Sequence, residues 1–81
     1  MYDASQKGEI LAVVLEKGLK VYKLMSLDEY RLIGDFEMEG IDKISVGDLI
    51  LSGKGFDAEE TALLMVGFAD RVQLYKVEVQ R

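Results

Sequence analysis

The residues in this chain best equipped for chemistry are carboxylates. Asp35, Glu37 and Glu39 recur at every second position, and Asp42 follows three residues later. A hard cation such as Ca²⁺ or Mg²⁺ needs several oxygen ligands around one point. Carboxylates two apart on a strand lie about 6.6–7 Å apart along it, too far to converge unaided. Across the turn at Gly40, Glu39 and Asp42 can converge. Glu39, Asp42 and Glu37 are therefore the candidate metal ligands, with Asp57, Glu59 and Glu60 able to approach. The chain contains no D-x-[DN]-x-[DN]-G calcium loop. The competing reading of the same residues is a solvated face that discourages strand-to-strand aggregation.

Other chemistries are excluded more firmly. The chain contains no histidine and no cysteine. Zinc, copper, haem and iron–sulfur sites draw on imidazole or thiolate, and so do most activated nucleophiles. None of Ser5, Ser26, Ser45 and Ser52 lies in a G-x-S-x-G elbow. Ser52-Gly53-Lys54-Gly55 departs twice from the P-loop pattern: Asp48 stands where the first glycine belongs, and Gly55 stands where Ser or Thr should follow the lysine. A turn, or at most a weak anion nest, is what remains of it. Catalysis by paired carboxylates needs a cleft that a chain this short rarely builds. The expectation is a protein that is not an enzyme, with no catalytic residue and no cofactor.

Lys17, Lys20, Lys23 and Tyr22, with Lys76 and Tyr75, are the basic and aromatic residues an RNA-binding surface would use. The net charge of −5 opposes nucleic acid and anionic membranes alike. The longest apolar runs, Leu11–Leu15 and Ala62–Val66, are far below the ~20 residues of a membrane span. The reading is an acidic, cytoplasmic protein, with nucleic acid disfavoured and no membrane.

The elements that must position these residues read as strands within one domain, residues 1–81. Met1–Lys7 is polar and expected to fray. Two β-prone runs, Glu9–Glu16 and Leu19–Met25, flank Lys17-Gly18 and predict a hairpin. A second hairpin is predicted from Thr61–Phe68 and Val72–Val79. A shift of 53 positions lays Leu11 on Leu64, Val13 on Val66 and Tyr22-Lys23 on Tyr75-Lys76. With the turn at Lys17-Gly18, Val13 faces Tyr22, and Val66 faces Tyr75 in the second copy.

Between the hairpins, Tyr30, Leu32, Phe36 and Met38 share one strand face, with Arg31, Asp35, Glu37 and Glu39 on the other. Ile44–Ser52 is a strand bent at Val46-Gly47-Asp48, and Ser52–Glu60 is a loop. Ser26–Glu29 has the spacing of a helix capping box but yields to the overlapping strand. Asp57–Glu60 has the same spacing and precedes Thr61–Met65, mostly good helix formers, so a short helix over 57–67 is the alternative.

The fold class expected is all-β: about six antiparallel strands in a small barrel or sandwich with N- and C-terminal hairpins. The alternative is α+β, with one helix near 57–67. The run LEKGLKVYKL resembles strands of a β-propeller blade, although the chain supplies at most two blades of the several required. The order of hairpin, strand, VGDLIL and final hairpin resembles, in rhythm alone, the ring-forming tryptophan-responsive RNA-binding attenuation family. That family's basic RNA-facing residues have no counterpart at Leu64-Met65-Val66-Gly67, so neither function nor residues are carried over.

One pattern bears on partners. In the first hairpin Ile10, Ala12 and Val14 line one face while Leu11, Val13 and Leu15 line the other. In the last strand Val72 and Leu74 point one way, and Tyr75, Val77 and Val79 the other. An isolated barrel or sandwich has one inside, so its strands should alternate. The surplus apolar face predicts a homo-oligomer or a protein partner, hence an interaction or scaffold module. The other classes in play are a small Ca²⁺/Mg²⁺- or ligand-binding domain using the acidic cluster, and a ring-forming RNA-binding protein.

Overall fold

The computed structural model describes residues 3–53 and 59–79. Seven strands run through them: β1 Asp3–Lys7, β2 Ile10–Leu15, β3 Gly18–Ser26, β4 Glu29–Glu37, β5 Ile41–Ser52, β6 Glu59–Phe68 and β7 Val72–Val79. All neighbours pair antiparallel, in sheets of order β1-β2-β3-β4 and β5-β6-β7. Both sheets are meanders, each built from one unbroken stretch of chain. No helix forms among the described residues, and none there is long and apolar enough to cross a membrane.

The all-β class holds, and the helical alternative near 57–67 does not: Glu59–Phe68 is β6. Residues 57 and 58, like Ser52–Glu60's centre, lie outside the described residues. Alternating burial decides this segment, because Ala62, Leu64 and Val66 all enter the core while Leu63 and Met65 do not. That period of two overrides local helix propensity.

The core lies between the sheets. Ile10, Ala12, Val14, Leu19 and Val21 from the first meet Ile44, Val46, Ala62, Leu64, Val66, Val77 and Val79 from the second. Burying each such aliphatic side chain is worth about 1.5–3 kcal/mol for the larger ones. Valine dominates because a β-branched side chain fits the pleated surface at little entropic cost.

Of the N-terminal stretch expected to fray, Asp3–Lys7 is β1, paired to β2 from Asp3↔Val14 to Lys7↔Ile10, and Met1 and Tyr2 lie outside the described residues. Three polar side chains of β1 bond to β5. The backbone N–H of Ile44 donates to Asp3 Oδ2 at 2.9 Å, and that of Val46 donates to Ser5 Oγ at 3.1 Å. Lys7 Nζ then meets Asp48 Oδ1 at 2.6 Å. All three pairs have the same sequence separation of 41. β1 and β5 therefore run side by side in one direction, and side chains take the place of a main-chain ladder. An unmet buried N–H on β5 would otherwise cost about 1–3 kcal/mol.

Both hairpins form, with a shifted pairing. Leu11 faces Tyr22, and Leu64 faces Tyr75, in place of the expected Val13 and Val66. The first turn is Glu16-Lys17, since Leu15 pairs with Gly18. Gly18 serves another purpose than turning. A Cβ there would lie 3.1 Å from the Phe36 carbonyl oxygen, so the glycine admits the β4 backbone.

The 53-residue shift reproduces the pairing register but not the buried face. Leu64 is fully buried, whereas its equivalent Leu11 is on the outer side of β2. Tyr75 packs against the core, and Tyr22 points away from it with Leu11. The two hairpins are alike in sequence and turn opposite sides inward.

β4 also departs from its expected single face. Tyr22 pairs with Leu32 but Val21 pairs with Gly34, so Ile33 is an extra residue in the ladder. Such a bulge reverses the side-chain alternation beyond it. Phe36 pairs with buried Leu19 and packs on the core with Met38, while Tyr30 and Leu32 lie on the opposite side. Asp35 and Glu37 consequently share the outer face with Leu32. The bend expected at Val46-Gly47-Asp48 is present as a register shift between Val46 and Leu49.

Candidate interaction surface

Directly opposed residues in an antiparallel ladder share a face. The outer face of the four-stranded sheet can therefore be laid out as rows running across the strands. One row carries Gln6, Leu11, Tyr22 and Leu32; the next toward the Glu16-Lys17 turn carries Ala4, Val13, Lys20 and Asp35. Leu24 and Tyr30 lie on the other side of the first row, and Leu15, Gly18 and Glu37 close the far end.

This face is apolar at its centre. Tyr30 and Leu32 are 41% and 47% exposed, and Leu11, Val13, Leu15, Tyr22 and Leu24 are half-buried only by each other and their neighbours. The Tyr22 and Tyr30 rings meet edge to face, with centroids 6.5 Å apart and planes at 82°. This T-shaped arrangement holds both rings up on one diagonal of the surface. Lys20 and Asp35 face each other across β3 and β4 in one row. Among the described residues neither makes an ion pair.

The three-stranded sheet has an apolar outer patch of its own. Met65 faces Leu74, and Gly67 faces Val72. Val72 and Leu74 are 64% and 70% exposed. Beside them an open depression of about 280 Å³ is lined by Lys43, Ile44, Ser45, Met65, Gly67 and Val72. Its floor is low because Gly67 has no side chain to fill it.

The three candidate metal ligands fall on three successive pieces of chain: the end of β4, the connection after it and the start of β5. Glu37 is on the outer face of β4 opposite Gly18. Glu39 lies in the connection to β5, next to Gly40, whose φ of 80° turns the chain. Asp42 sits at a register irregularity between Ile41 and Lys43 at the start of β5. All three are exposed. Glu37 and Glu39 border a depression of about 350 Å³ together with Met38 and the cationic Lys17. Among the described residues no group of three or more carboxylates is close enough together to hold a metal ion. Asp57, and Lys54-Gly55 of the glycine-rich loop, lie outside the described residues.

Nor do the hairpin lysines share a face. Lys20 is on the outer side, whereas Lys23 pairs with core residue Ile10 on the inner side, near Arg31. Tyr75 faces the core, and its hydroxyl donates to Gln73 Oε1 at 2.7 Å.

Sequence reasoning found both faces of β2 apolar, and the structure makes Leu11, Val13 and Leu15 the outer one. That reasoning missed that Tyr30 and Leu32 complete this face, having grouped them with Phe36 and Met38. The available signal was Ile33-Gly34, since a lone glycine within a strand pattern marks a bulge. Comparison with known proteins returned no relative: no family model, curated protein or solved structure matches the chain.

Proposed function

We propose that this protein is a non-enzymatic interaction module that docks a partner chain, or another copy of itself, through the outer face of its four-stranded sheet. The observation that carries the reading is the row Leu11, Tyr22 and Leu32, extended by Leu24 and Tyr30. An antiparallel sheet that packs on a core with one face ordinarily presents polar side chains on the other. Contiguous apolar surface on a small chain marks an interaction site. Aromatic residues at its centre suit that role, because they bring large contact area at low entropic cost.

A photo-crosslinking amino acid introduced in place of Leu32 tests the reading in the cell that makes the protein. The expected result is a discrete adduct, with self or with another protein. The same group placed at exposed Asp70, on the far sheet's turn, should give none. Indiscriminate labelling from both positions, or none from either, would overturn it.

A further inference from the structure

We infer that the partner on this face is a second copy of the chain, docked about a two-fold axis that runs parallel to the strands between β3 and β4. The inference rests on the docking role proposed for that face and specifies what occupies it. Three rows span the two strands: Lys20 with Asp35, Tyr22 with Leu32, and Leu24 with Tyr30. Stacking the face on itself about such an axis exchanges the β3 and β4 columns while keeping each row level. Lys20 then meets Asp35 of the second copy, Tyr22 meets Leu32, and Leu24 meets Tyr30. Every contact occurs twice, as a two-fold interface requires.

The charges point to self-recognition. The chain as a whole carries −5, yet one row of this face sets a cation and an anion side by side, and the face's other carboxylate, Glu37, lies at its far end opposite Gly18. Both are available, since neither is in an ion pair among the described residues. A strongly basic partner would gain nothing from Lys20, and an acidic one nothing from Asp35. A copy of the same surface satisfies both. Leucine against tyrosine in the other two rows supplies the apolar contact, and twisted sheets stack face to face about 30° from alignment.

Charge exchange provides the test. Sedimentation equilibrium is measured on the unaltered protein, on Lys20→Glu, on Asp35→Lys, and on an equimolar mixture of the two variants. The unaltered protein should sediment at twice the 9.1 kDa chain mass. Each variant alone places like charges together twice and should dimerise about tenfold or more weakly. The mixture should recover the dimer, because both pairs become attractive in the heterodimer. That recovery also shows that neither variant has merely unfolded. A monomeric unaltered protein overturns the self-partner, while crosslinks from Leu32 to another protein would leave the docking role standing. Dimers that ignore the substitutions, or variants that weaken without recovering on mixing, overturn the proposed axis.

Discussion

The carboxylate of Asp3 accepts a hydrogen bond at 2.9 Å from the backbone N–H of Ile44, a residue of the opposite sheet 41 positions away. With the matching bond from Val46 to Ser5, it joins the two sheets where no main-chain ladder does. Removing an acceptor leaves a part-buried N–H unmet, which costs about 1–3 kcal/mol. Asp3→Ala should therefore destabilise the fold by that amount, and Ser5→Ala by about 1 kcal/mol. Asp3→Asn, which keeps an acceptor oxygen, should lose less than Asp3→Ala. Urea unfolding followed by circular dichroism measures all three. Equal losses for Asn and Ala at position 3 would show that charge, not the hydrogen bond, is what matters.

The opposed faces of the twin hairpins give a second prediction. Leu64 and Leu11 are equivalent under the 53-residue shift, but only Leu64 is fully buried. Leu64→Ala should cost about 2–5 kcal/mol, the range for a core leucine. Leu11→Ala should cost less than half as much in the monomer. The comparison is to be made at a concentration where self-association is absent, since Leu11 belongs to the proposed docking face.

A third concerns the bulge in β4. A Cβ at Gly34 would lie 2.8 Å from Phe36 Cε2, so the ring covers the glycine and must move if a methyl is added. Gly34→Ala should destabilise by about 1–3 kcal/mol, as overpacking does. Repeating it in a Phe36→Leu background should show a smaller increment. Undiminished loss in that background would move the cause from the ring to the backbone.

The fourth is a titration. Lys7 donates to the Asp48 carboxylate, and that bond together with the lysine's charge holds the Asp48 pKa below the ordinary aspartate value. A carboxyl whose pKa is depressed on folding contributes stability above its unfolded pKa of about 3.9, and loses it as pH falls through the folded value. The pair is solvent-exposed, so its effect on unfolding is slight and screened by salt. The clear readout is the Asp48 carboxyl carbon shift in NMR, titrating low in the parent and returning upward in Lys7→Met.

How far the fold was legible follows from these same residues. Both hairpins and the bend at Gly47 are visible in the chain, whereas the alternating burial of Ala62, Leu64 and Val66 is not, because Leu63 and Met65 between them are apolar too. The pairing register was not, because Lys17-Gly18 looks like a turn while Gly18 is there to admit the Phe36 carbonyl. Local composition cannot distinguish a glycine needed for its φ from one needed for lack of a side chain. β1 was illegible for another reason. Its partners on β5 lie 41 residues away, and a polar strand stabilised by distant backbone donors resembles a loose terminus in sequence.

The candidate surface was half visible. The sequence shows two apolar faces on β2, one more than a core can use, without marking Leu11, Val13 and Leu15 as the outer one. Tyr30 and Leu32 were hidden by one inserted residue, Ile33, that reverses the alternation between them and Phe36. The carboxylates gave the opposite lesson. Glu37, Glu39 and Asp42 are neighbours in sequence, yet they fall at a strand end, a glycine turn and a register irregularity, and among the described residues no three carboxylates group to hold a metal ion.

The side-chain seam between β1 and β5 acts as a key that admits one alignment of the sheets. Asp3, Ser5 and Lys7 read as acceptor, acceptor, cation along β1, against N–H, N–H, carboxylate along β5. Sliding β1 by two residues one way sets Lys7 against the Val46 N–H, and an ammonium group has nothing with which to accept it. Sliding it the other way strands the Ile44 N–H and sets Ser5 beside Asp48. The apolar contact between two stacked sheets is by itself non-directional. Three polar side chains, in a segment that looks dispensable, give that contact a register.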